Sequence, residues 1–156
     1  MAVPGSITVV GLGNDFRGDD AAGLYTARLL AEKNIPGLHV IEGVSDGTTL
    51  INAWDGAKAC FLVDCVYSKK KPGYIHCFDA LTDVIPEDIF PGYSTHAFSI
   101  TGAVKLARAL DQLPEKLIVY GIEGASFTTG KTISLEVEQA ARKVRDLILE
   151  NLREIK

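Results

Sequence analysis

The sequence predicts an α/β fold, a three-layer sandwich around a mostly parallel, mixed five-stranded sheet. Strand-like apolar runs alternate with helix-patterned segments along the whole chain, the order that builds parallel strands with crossover helices. One run, from Ala59 to Tyr67, is apolar with a single carboxylate, Asp64, as expected of a central strand covered on both faces. The 156 residues are 47% hydrophobic and 23% charged, which suits one globular domain over residues 1–156 with a sizeable core.

Each element follows from its local pattern. Ser6 to Val10 forms the first strand, and the glycine-rich stretch from Gly11 to Gly18 turns the chain into a helix from Asp20 to about Lys33, which stops before Asn34-Ile35-Pro36-Gly37. Leu38 to Glu42 is the second strand, and a short helix from Thr48 to Trp54 follows the Ser45-Asp46-Gly47 turn. The central strand then runs from Ala59 to Tyr67. Lys69-Lys70-Lys71 and Pro72-Gly73 read as a solvated tip, with Gly73 to Phe78 returning antiparallel as a hairpin. A long connection from Leu81 to Tyr93 carries Pro86, Pro91 and Gly92, and Ala97 to Leu110 is helical. Lys116 to Tyr120 is the last strand. In the final helix, Ser134 to about Leu152, Ser134 is the N-cap and the stripe Val137, Ala140, Ala141, Val144, Ile148 packs on the sheet.

Composition excludes several function classes. A formal net charge of −4 leaves no basic stripe to neutralise phosphates, which argues against nucleic acid as a partner. No apolar stretch is long enough for a membrane span, and the N-terminus lacks the charged and apolar regions of a signal peptide, so a cytoplasmic location is expected. Cys60, Cys65 and Cys77 are odd in number and lack a Cys-x-x-Cys spacing. They read as small buried hydrophobes in a reducing compartment, with Cys60 and Cys65 on opposite faces of one strand.

The first turn carries the chemistry. Gly11-Leu-Gly13-Asn-Asp-Phe-Arg-Gly18-Asp19-Asp20 places two adjacent carboxylates where a nucleotide loop needs glycine and open amides. Carboxylates at a helix start suit its dipole but repel a phosphate. Phe16 stands at the third glycine position of a dinucleotide fingerprint, and Asp19 and Asp20 replace the Lys and hydroxyl residue of a phosphate loop. A cation or polar substrate fits this turn better. The plain alternative is that Asp19 or Asp20 caps the helix.

Ligands of open α/β sheets bind beyond the carboxyl ends of the parallel strands. Asp20 lies after the first strand, Asp64 late in the third, and His96 on a loop just before a helix. A lone ionised carboxylate within an apolar run needs a cation, donors or a proton. The pattern predicts that two carboxylates and one imidazole from separate elements converge on one sheet edge. His39, alternating along a strand, and His76, within the hairpin, are weaker candidates.

These residues resemble those of the nickel–iron hydrogenase maturation endopeptidases. The likeness runs through Gly11-x-Gly13-Asn14-x-x-x-Gly18-Asp19-Asp20-x-x-Gly23, Asp46-Gly47-Thr48, Val63-Asp64, Ser94-Thr95-His96 and Gly121-Ile122-Glu123. Ala21 stands where members often have glycine, and Gly124 where a proline often follows Gly-Ile-Glu. The resemblance implies a phosphorylase/hydrolase-like fold and removal of a C-terminal extension from the immature, nickel-loaded hydrogenase large subunit. It further implies that Asp20, Asp64 and His96 bind a divalent metal, the nickel carried by that substrate, with no organic cofactor. These three are also the catalytic candidates, one of them activating water or two carboxylates sharing a proton. Two other readings compete: a nickel-site chaperone that inspects the same subunit without cutting it, and a Rossmann-like nucleotide binder using Glu42.

Overall fold

In the computed structural model, five strands alternate with four α-helices, and the described residues are 5–44, 46–90, 99–130 and 132–155. The strands are β1 (Ile7–Gly11), β2 (Leu38–Glu42), β3 (Ala59–Val66), β4 (Ile75–Asp79) and β5 (Leu117–Glu123). The helices are α1 (Ala22–Ala31), α2 (Gly47–Trp54), α3 (Ile100–Ala109) and α4 (Leu135–Ile155).

The sheet order is β2-β1-β3-β5-β4. β1 pairs in parallel with β2 and β3, β3 in parallel with β5, and β4 antiparallel with β5. The mixed, mostly parallel sheet is as the sequence predicts. β4 is antiparallel too, but it forms no hairpin with β3. β5 lies between them, because all seven of its residues are buried and a strand so covered needs a neighbour on each edge. The three lysines are therefore an exposed crossover loop and not a hairpin tip.

Alternation along β3 divides the interior into two cores. Phe61, Val63 and Cys65 face α1 and α4, packing with Leu30, Val144 and Ile148. Cys60 and Leu62 face α2 and α3, packing with Leu50, Trp54, Val104 and Ala107. The two buried cysteines thus lie on opposite faces. Cys77 departs from expectation and is exposed, since β4 is an edge strand and turns this position outward.

Caps explain the helix starts. Asp46 accepts from the Thr49 amide at 2.8 Å and begins α2, while Ser99 accepts from Gly102 at 3.0 Å and begins α3. Of the helix expected from Ala97, residues 97 and 98 lie outside the described residues. The predicted helix from Asp20 begins instead as a 3-10 turn over Gly18–Ala21, and α1 proper opens at Ala22. This tight turn fixes the two aspartates.

Candidate active site

The site is assembled where β1, β3 and β5 end. Gly23, in the first turn of α1, brings that helix hard against the sheet edge. A Cβ there would collide with the backbone carbonyls of Val63 and Leu12. Gly13, with φ of 129°, leaves no room for a side chain because the Asp20 carbonyl occupies that space. The Asn14 amide donates to that carbonyl at 3.2 Å and the Leu12 amide to Val63 O at 2.9 Å. The glycines of the first motif therefore serve close backbone approach, and the approach carries Asp20 to the end of β3, where Asp64 sits.

Asp20 is 4% exposed, with Arg17 Nη1 4.0 Å from its Oδ2. Asp64 keeps some contact with solvent and accepts a hydrogen bond from the Cys65 amide at 2.8 Å. Desolvation by the surrounding walls, then repulsion from Asp20, push the Asp64 carboxyl up to about 8, against the pull of the Cys65 amide. At neutral pH it holds a proton. The sheet edge thus contains two carboxylates close enough to repel each other. A divalent cation would remove both the repulsion and the proton. His96, the third candidate, lies outside the described residues. Among the described residues there is no group of three or more His, Cys, Asp or Glu side chains able to hold a metal ion.

Asp19 has a different task from its neighbour. Its Oδ2 accepts from the amides of Ala125 at 2.7 Å and Ser126 at 3.0 Å and from Ser134 Oγ at 3.1 Å; its Oδ1 accepts from the Ser134 amide at 2.7 Å. Buried and fully used, this carboxylate staples the β5–α4 loop to the turn that carries Asp20. Neither aspartate caps its helix through its side chain.

Thiol chemistry has no support here. Burial pushes the thiols of Cys60 and Cys65 up, carboxylates add to the effect at Cys65, and partial desolvation with Asp83 and Asp79 raises that of the exposed Cys77. Glu42, the acid that a nucleotide-binding reading needs, accepts from Arg28 Nε at 2.9 Å. The same guanidinium grips Asp15 through two bonds of 2.9 and 2.7 Å.

Residues 25–151 match the family model described as hydrogenase maturation protease. The chain belongs to the hydrogenase maturation protease family. It is therefore a peptidase. The hydrogenase maturating endopeptidase HybD of E. coli shares the fold, with a TM-score of 0.76 and 20% identity over 96% of this chain and 93% of that one. The nickel–iron hydrogenase maturation protease HybD of Thermococcus kodakarensis is 28% identical, with a TM-score of 0.67 over 93% of this chain and 97% of that one. A Methanocaldococcus jannaschii chain provisionally named a hydrogenase maturation protease is 27% identical, over 96% of this chain and 90% of that one.

In this maturation protease two positions that the sequence marks only by resemblance, Glu123 and Gly124, take on structural roles. Glu123, fully buried at the end of β5, accepts from the Ser68 amide at 2.7 Å and from Ser68 Oγ at 2.6 Å, and lies 3.1 Å from His76 Nε2. Burial alone would raise its pKa, but the Ser68 hydroxyl and amide and His76 together hold it below the usual carboxylate range. The cluster pins the chain leaving β3 just after Asp64. Gly124, where proline is frequent in the family, donates its amide to Val66 O at 2.9 Å, a bond proline lacks. It also leaves room for a ring: a Cβ at 124 would lie 2.8 Å from Phe127 Cζ.

Proposed function

We propose that this maturation protease removes a C-terminal extension from the nickel-loaded large subunit of a nickel–iron hydrogenase. In this reading Asp20, Asp64 and His96 engage the nickel carried by the substrate, so recognition of the metal and positioning of the scissile bond are one event. The observation that carries it is the Asp20–Asp64 pair, whose mutual repulsion at the carboxyl end of the parallel strands favours a cation arriving with the substrate.

The reaction is hydrolysis of one amide bond. A water oxygen attacks the carbonyl carbon, a side chain of the trio takes the water's proton, and the departing amine nitrogen receives a proton as the C–N bond breaks. Asp64, protonated near neutrality beside a carboxylate neighbour, suits the alternative of a pair sharing one proton. In both versions Asp19 holds the turn in place. No helix among the described residues is long and apolar enough to cross a membrane. We assign the reaction to the cytoplasm, where the free thiols suit a reducing environment.

The test is intact mass of an extended large subunit before and after incubation with the protein, with and without nickel. Loss of a discrete C-terminal peptide from the nickel-loaded form alone is expected. Stable binding with unchanged mass would support the chaperone reading instead.

A further inference from the structure

The edge that carries Asp20 and Asp64 also carries aromatic side chains that hydrolysis does not use. Phe16, on the β1–α1 loop, is 75% exposed, and Tyr67, immediately after β3, is 50% exposed. Single exposed apolar residues are common and carry no message alone. The backbone that carries each of these two, however, is held in place. The Phe16 carbonyl accepts from the Gly130 amide at 2.9 Å, and the Tyr67 amide donates to the Ile89 carbonyl at 2.6 Å. The Tyr67 ring meets the Phe127 ring edge-on, with centroids 5.9 Å apart and planes at 82°. Phe127 in turn lies against Gly124, beside Asp19. Tyr67 and Phe127 are thereby tied to each other and lie beside the turn that carries Asp20, and the backbone at Phe16 is tied to the loop that carries Phe127. Rigid aromatic anchors lose little freedom on binding, and they dominate the energetics of protein interfaces.

We propose that Phe16, Tyr67 and Phe127 form the docking collar for the substrate protein and grip apolar residues that flank the bond to be cut. The inference rests on the proposed cleavage of a hydrogenase large subunit at this edge, and its position commits it to that occupant. A polypeptide that brings an amide bond to these carboxylates lies alongside the loops that hold them. Charge agrees. A C-terminal extension ends in a carboxylate, and Lys69, Lys70 and Lys71 are exposed on the same loop as Tyr67. Gly124 contributes by leaving space for Phe127, so this departure from the common family pattern shapes the collar.

The experiment is steady-state cleavage of a nickel-loaded, extended large subunit by the wild type and by Phe16→Ala, Tyr67→Ala and Val84→Ala. Val84, more exposed still, lies in the loop after β4, at the opposite end of the parallel strands. Phe16→Ala and Tyr67→Ala are expected to raise KM by about tenfold each with kcat within about twofold. Val84→Ala is expected to change neither, and Phe16→Leu and Tyr67→Phe to restore most of the lost affinity. An unchanged KM in both alanine variants, or a fall in kcat alone, would overturn the collar while leaving the peptidase reading intact. Absence of cleavage by the wild type would overturn that reading and the collar with it.

Discussion

The Ser134 amide donates to Asp19 Oδ1 at 2.7 Å across a sequence separation of 115 residues, joining the first turn of the chain to the start of its last helix. Three other donors converge on the same carboxylate, so the loop after β5 and the turn before α1 behave as one rigid unit. Removing the acceptor strands buried donors, and bonds to a charged group are worth roughly 1.5–3 kcal/mol each, less than additively. Asp19→Ala should therefore cost on the order of 3 kcal/mol or more. The urea midpoint of the purified variant measures it, and a shift equivalent to under about 1 kcal/mol would show that water replaces the carboxylate without penalty.

Asp64 should make the free protein less stable as pH rises. Its carboxyl is raised to about 8 in the fold from the ordinary 3.8. Between those values the folded state binds the extra proton, so stability declines as pH climbs through that window and levels off above it. Asp64→Asn keeps an acceptor for the Cys65 amide and removes the titration. The variant should match the wild type near pH 4 and exceed it at pH 8.5. Urea melts at both pH values decide the point, and parallel profiles for the two proteins would refute it.

Glu123 acts on the chain that leaves the site. Glu123→Ala removes the acceptor shared by the Ser68 amide, the Ser68 hydroxyl and His76. Hydrogen exchange at the Ser68 amide should accelerate by at least about tenfold, since its protection now comes from that single bond. Exchange in β2, which makes no contact with this cluster through the sheet order, should stay as it was. Unaltered exchange at Ser68 would mean that the loop is held by something else.

Much of this was legible in the chain because the signals are local. β2 falls over Leu38–Glu42 as its pattern indicates, and β3 begins at Ala59 as its unbroken apolar run requires. Asp64 stood out for the same reason, as a charge inside that run. What stayed hidden depends on distant partners. Asp19 and Asp20 are adjacent and chemically identical, and only the donors at Ala125, Ser126 and Ser134 distinguish a staple from a site residue. The short connection between β3 and β4 suggested a hairpin, whereas the insertion of β5 between them is a long-range pairing with no local mark. Glu123 gave no sign of its role, because Ser68 and His76 belong to another part of the chain.

The most direct measurement is single-turnover cleavage of the nickel-loaded, extended large subunit by Asp20→Ala, Asp64→Ala and His96→Ala, with binding followed in parallel. If the trio meets the substrate's nickel and places the bond, each variant should lose at least about a hundredfold in cleavage rate, while the exposed collar still supports complex formation. Cleavage at the wild-type rate by all three variants would contradict that role.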